Sequence, residues 1–236
     1  MPEPTPQVRS ELAPTGRLRL GFNMSNFLLT RTDETGKPAG LAVDLGRELG
    51  RRLGLPVEII PYPNPAALAD AAKTGVWDVG FLGAEPQRAN EIDFTAAYVE
   101  IEASYLVPPG SKLQSIGEVD REGIRIAVPS GSAYALYLTR TLKHAKLVEE
   151  KGADNAFKRF ADDKLDALAG LKPRLVTDGK TWPAHASWTG ASPPCSRRSA
   201  HPGAAPQARS TCASSSKTSR RAVSSRRRSK RTTCAV

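Results

Sequence analysis

The chain has 236 residues with 34 Lys+Arg, 24 Asp+Glu and a formal net charge of +10. The excess is confined to residues 183–236, which hold 11 basic residues and no acid, against 23 basic and 24 acidic residues before them; a body that is itself a basic nucleic-acid binder is thereby excluded. The body also lacks cysteine, which excludes a disulfide scaffold there, and no apolar run reaches the ~18 residues of a membrane span.

Residues 1–16 are polar and Pro-rich and read as a disordered leader, without the apolar core of a signal peptide. Residues 17–22 (RLRLGF) alternate and predict a first strand. Gly36-Lys37-Pro38 marks a turn. Residues 41–53 predict a helix with Leu41, Leu45, Leu49 and Leu53 as its apolar stripe, stopped by Gly54. A second strand (56–60, PVEII), a second helix (65–74) and a third, buried strand (76–82, VWDVGFL) follow. Residues 86–91 start a third helix, and 98–107 are extended.

After Pro108-Pro109-Gly110 the alternation restarts. Residues 124–128 (IRIAV) predict a strand, and 131–143 a helix with Ala133, Leu136, Tyr137 and Thr141 on one side. A short strand (146–149) leads to a helix at 155–161 with Phe157 and Phe160 as its stripe. A last strand (165–169, LDALA) precedes a helix beginning at 172–177.

Two successive βαβαβ runs imply two mainly parallel sheets. Such sheets face each other with the carboxyl ends of their strands, and the gap between them is a default ligand site. The fold class is α/β with two lobes, divided as lobe one (17–105), lobe two (106–182) and a basic tail (183–236). The tail has no Leu, Ile, Met, Phe or Tyr to bury, so it is expected to be disordered.

From about residue 12 to residue 175 the chain resembles the bacterial extracellular solute-binding proteins of family 3, the polar amino-acid-binding subunits of ABC transporters. Four ordered segments carry the resemblance: RLRLGF, GKPAGLAVDLGRELGRRLG, GVWDVGFLGAEPQRANEIDFTAAY and GIRIAVPSGSAYALYL. The resemblance implies a type II periplasmic-binding-protein-like fold whose chain crosses between lobes near residues 105–108 and later returns to lobe one. It implies a monomer that binds a small anionic or zwitterionic solute, an amino acid or a related carboxylate, between its lobes without a cofactor, hands it to an ABC transporter permease and works in the periplasm. As written, the sequence carries no export signal, so this location is an expectation of the family alone.

The resemblance also singles out side chains. Arg88 matches the arginine that holds a ligand carboxylate, for which a guanidinium fork is suited; without the resemblance it reads as a surface arginine. Ser130, Gly131 and Ser132 lie between a strand and a helix, where backbone N–H groups favour an anion, but a plain Ser N-cap fits them equally. Asn23, Asn26 and Phe27 follow the first strand, with Phe27 placed to stack on a ligand; an ordinary Asn-containing turn is the other reading. Glu85 is the one polar candidate near Ala84. Where the family places an ammonium-binding acid after the last strand, this chain runs Leu171-Lys172-Pro173. That substitution disfavours a standard α-amino acid and favours a carboxylate or dianionic ligand. Asp44, Asp93 and Tyr98 read as structural.

No P-loop, HExxH, GxSxG or Ser/His/Asp set occurs, so no enzyme and no catalytic residue is expected; a dehydratase or lyase on the same fold is the alternative. Cys195, Cys212 and Cys234 form no CxxC pair, and His144, His185 and His201 are scattered, so no metal site is expected. The tail segment RRAVSSRRRSKR would bind nucleic acid only nonspecifically, through phosphates. A frameshift explains the tail better. Read one base over, with free choice of each first base, residues 185–203 can become RVLDGRFTAVQQAIGTPRG, and residues 210–236 can become a sequence with an amphipathic helix. Such a chain would lack the C-terminal helix of lobe one. Lobe one would then be marginal, since a domain's margin is only ~5–15 kcal/mol, and ligand binding would be impaired.

Overall fold

The structure, a computed structural model, describes residues 4–182 together with the backbone of 231–235. It opens with helix α1 (Pro6–Leu12), where a disordered leader was expected. The Thr5 side chain accepts from the Val8 N–H at 3.3 Å and Pro6 occupies the first turn, both start signals for a helix. Val8, Leu12 and Ala13 then pack against the core of lobe one. A capped turn with an apolar i, i+4 pair outweighs the polar composition.

Lobe one continues with β1 (Leu18–Asn23), the short antiparallel pair β2 (Arg31–Thr32) and β3 (Pro38–Ala39), and α2 (Leu41–Leu53). β4 (Val57–Tyr62), α3 (Pro65–Ala71), β5 (Val79–Leu82) and β6 (Ile92–Phe94) follow. The predicted third helix is a single 3-10 turn, Arg88–Asn90, capped at Glu91, and the chain passes straight into β6 at Ile92.

Helix α2 lies where expected but turns a different face inward. Ala42, Val43, Gly46, Gly50 and Leu53 are buried, while Leu41 and Leu45 are 50% and 38% exposed. The small residues allow close approach to the sheet: a Cβ on Gly46 would come within 2.6 Å of Leu20. Steric fit, rather than leucine spacing, chose the face.

Lobe two comprises β7 (Ala103–Leu106), β8 (Arg125–Pro129), α4 (Ala133–Thr141), β9 (Lys146–Glu150), α5 (Ala153–Asp162), β10 (Ala167–Leu171) and α6 (Lys172–Thr181). Its sheet has the order β7-β10-β8-β9, parallel except for the antiparallel edge β7. The boundary read at residue 105 falls inside β7. Helix α4 buries Ala135 and Leu138 rather than the expected face, leaving Tyr137 40% exposed.

A final strand, β11 (Arg231–Ala235), enters the lobe-one sheet, whose order is β4-β1-β5-β11-β6. It runs parallel to both β5 and β6. Five residues of the tail therefore pair as a strand in this sheet. A ladder is made by backbone groups and needs no apolar side chain, and Thr232 and Thr233 suit extended structure. The rest of residues 183–236, with Cys195, Cys212, His185 and His201, lies outside the described residues.

Each lobe has its own core. Lobe one centres on Leu18, Leu20, Phe22 and Val43, with Trp77 fully buried on the other sheet face and its Nε1–H donating to the Leu68 carbonyl at 3.0 Å. Lobe two centres on Ile126, Val128, Phe160 and Leu168. Among the described residues no helix is long and apolar enough to cross a membrane, and no group of His, Cys, Asp or Glu could hold a metal ion.

Candidate functional site

β1, β5 and β8 all end at one opening. Asn23 closes β1, Leu82 closes β5 and Pro129 closes β8, and the loops that follow line a cleft of ≈ 1360 Å³ between the lobes. That is ample for an amino-acid-sized molecule. Every side chain singled out by sequence borders it: Asn23, Asn26, Phe27, Glu85, Arg88, Ser130 and Ser132. Gly131 joins them through its carbonyl.

Arg88 is 6% exposed and spans the two lobes. Its Nη1–H donates to the Gly83 carbonyl of lobe one at 2.8 Å, and its Nη2–H donates to the Gly131 carbonyl of lobe two at 2.7 Å. The alternative of a surface arginine is overturned, because the 3-10 turn directs the side chain inward. Gly131 makes the bridge possible. Its φ is +63°, which disfavours other residues, and a Cβ there would lie 2.6 Å from the Ala66 Cβ of lobe one.

The turn after β8 meets both of its readings. The Ser132 side chain accepts from the Ala135 N–H at 3.1 Å and so caps α4. The same cap directs the N-terminus of α4, with its partial positive charge, at the cleft. Ser130 is committed elsewhere through its N–H, which donates to the Glu150 carbonyl at 2.8 Å. Tyr134 stands behind the turn; burial pushes its phenol up to about 12.

Asn23 and Asn26 are turn formers. The Asn23 side-chain oxygen accepts from the Ser25 N–H and hydroxyl at 3.1 and 2.8 Å, and that of Asn26 accepts from the Leu28 N–H at 3.2 Å. These local bonds fix the loop that presents Phe27, 50% exposed, to the cleft. Phe22 and Phe81 stack on each other at 4.7 Å between centroids in the core of the same lobe.

Glu85 is 4% exposed and engaged by Arg140 of α4 in a two-pronged ion pair across the cleft. Arg140 was missed by sequence reading, as were Tyr134 and Arg174, which also line the cleft. A signal was present: Ala133, Tyr137 and Arg140 recur at helical spacing on the face that starts at the site. Arg174 is tied to Asp178 at 2.7 Å and to Asp154 at 2.5 Å. Burial lowers the Arg174 guanidinium, but the two carboxylates outweigh it and hold it above its ordinary value. Leu171 borders the cleft, and Lys172 is drawn away into an ion pair with Glu102 at 2.7 Å.

The family profile of the bacterial extracellular solute-binding proteins, family 3, matches residues 18–221. Among solved structures, the ancestral amino acid-binding protein AncCDT-1, a precursor of cyclohexadienyl dehydratase, is 24% identical with a TM-score of 0.61, covering 73% of this chain and 78% of that one. ArgBP from T. maritima, as its P235GK mutant, is 20% identical with a TM-score of 0.61, covering 79% and 80%. A binding component of an ABC transporter from Wolinella succinogenes, complexed with lysine, is 21% identical with a TM-score of 0.59, covering 72% and 74%. At these identities the likeness is one of fold. No curated protein sequence matches the chain.

Proposed function

This chain belongs to the bacterial extracellular solute-binding proteins, family 3, and from that premise we propose that it holds a small carboxylate-bearing solute, an amino acid or a related acid, between its lobes. Delivery is to the permease of an ABC transporter outside the cytoplasm, and the binding unit is a monomer. One observation carries the reading: a buried guanidinium, Arg88, stands at the seam of the lobes and contacts both. A carboxylate entering there meets a fork already oriented by the Gly83 carbonyl, beside the N-terminus of α4. Phe27 supplies an exposed ring for the rest of the solute.

The dehydratase reading needs a carboxyl group available to move a proton. Glu85 is the candidate, and its engagement by Arg140 argues for binding instead. Calorimetric titration with amino acids and dicarboxylates tests the proposal on the wild type and Arg88→Ala. Binding in the wild type and a loss of about a hundredfold or more in the variant is expected, the size seen when a buried charge pair is truncated. Binding that survives the substitution unchanged refutes the assignment of Arg88.

A further inference from the structure

The loop from Gly83 to Arg88 belongs to lobe one, yet three of its residues reach lobe two. Arg88 donates to the Gly131 carbonyl, and Glu85 accepts from both Nη groups of Arg140. Gly83 lies so near α4 that a Cβ on it would come 3.0 Å from the Ala133 Cβ. The Glu85 carbonyl accepts in turn from the Arg88 and Ala89 N–H groups at 3.0 and 3.1 Å. The residue that reaches across by charge is thus the one that anchors the 3-10 turn. On the other side of the seam, the close approach of Gly131 to Ala66 brings the lobes together a second time.

The ion pair in this seam is unequal. The Glu85 side chain is 3% exposed, whereas that of Arg140 is 43% exposed. Arg140 also lies 5.9 Å from the Tyr137 ring, a second resting place for its guanidinium. Loss of the arginine would strand a carboxylate in the joined lobes, the costly way to break such a pair. Loss of the carboxylate charge would leave an arginine that water and Tyr137 already support, at little cost. Parting the lobes is how a stranded Glu85 regains water.

We infer that Glu85 and Arg140 form a latch between the lobes, which draws them together by protein contacts alone and must release before a solute enters. Neither side chain is assigned to a group of the solute, and the latch acts alike on any molecule the cleft takes. Because entry waits on the lobes parting, the pair slows arrival, as any obligatory conformational step does. Once the lobes are joined, the same pair holds the Gly83–Arg88 loop in place for Arg88.

Small-angle X-ray scattering of the full chain, read without added solute, tests the latch on the wild type, Arg140→Gln, Glu85→Gln and the double variant. Arg140→Gln should raise the radius of gyration, through a shift of about tenfold or more toward parted lobes. Glu85→Gln should raise it less. The double variant should fall back toward the wild type, because it strands no charge. Circular dichroism of each variant confirms that it is folded, and unchanged hydrogen exchange in β1 and β8 separates parted lobes from loosened ones. An unchanged radius in Arg140→Gln would overturn the inference. So would a double variant as expanded as that single one. Either result leaves the carboxylate reading of Arg88 standing, since titration of Arg88→Ala decides that separately.

Discussion

In lobe one, Arg19 near the start of β1 donates through Nε and Nη2 to Asp78 at 3.0 and 2.6 Å, and Asp78 donates its N–H back to the Arg19 carbonyl. Lobe two repeats the clasp: Arg125 at the start of β8 donates through Nε to Asp166 at 3.3 Å, and Asp166 donates its N–H to the Arg125 carbonyl. Each clasp ties the lobe's first parallel strand to the residue just ahead of its third. The surroundings differ. The Arg19 and Asp78 side chains are 18% and 4% exposed, those of Arg125 and Asp166 45% and 35%. The second clasp is also single-pronged, because the Arg125 Nη2–H donates to the Lys164 carbonyl at 2.7 Å; the two should therefore carry different weight, since solvent screens the second pair and not the first.

The lobes also differ in how their sheets are completed. Lobe two draws all four strands from residues 103–171, while lobe one takes the strand between β5 and β6 from residues 231–235. Lobe one is thus stronger in its clasp and more dependent on remote chain in its sheet. Ending the chain at Trp182 should separate these properties and produce the largest effect. It removes the ladders of β11 against both neighbours, at ~1 kcal/mol net per hydrogen bond, a sum comparable with a domain's whole margin. Hydrogen exchange should show β1 and β5 losing protection while β8 and β10 keep theirs. Equal protection of both lobes after truncation would break the comparison.

Removing the clasps is the next test. Asp78→Ala should cost about 3 kcal/mol, because Arg19 is left mostly buried beside no partner. Asp166→Ala should cost roughly 1 kcal/mol or less. At ~2–4 °C per kcal/mol for a chain of this size, differential scanning calorimetry separates them easily. Equal shifts would mean that burial does not govern the clasp.

The alternation that builds both sheets was legible in RLRLGF, VWDVGFL, IRIAV and LDALA, whereas the clasps, between residues 59 and 41 apart, were not read there. Local signals of that kind survive because strand period and turn residues act within a few positions. The inward faces of α2 and α4 were not legible, because Gly46 and Gly50 are chosen by contact with Leu20 and Val57 across the layer. The bridge from Arg88 to Gly131 could be anticipated only as two separate sites. Its 43-residue separation in sequence hides that one carbonyl would meet one guanidinium. The partner of Glu85 was hidden in the same way, 55 residues downstream on another lobe.

Acid titration gives the smallest effect and sharpens the comparison at the surface. In lobe one, Arg51 and Arg52 hold the Glu48 carboxyl down at about 2. In lobe two, backbone N–H groups of Ala145, His144 and Lys143 hold the Asp120 carboxyl below its ordinary value. Both are lowered, so each contributes stability above its unfolded value, near 4.5 and 3.8, and that contribution is lost as pH falls through the folded value. The causes differ in kind. Glu48 depends on exposed ion pairs that salt screens, whereas Asp120 depends on fixed backbone dipoles. Raising ionic strength to ~1 M at neutral pH should therefore remove the Tm difference of about 1–2 °C between wild type and Glu48→Gln. The difference produced by Asp120→Asn should persist under the same salt. If both differences vanish together, the carboxylate of Asp120 is acting as a surface charge and not as the cap of the chain between α4 and β9.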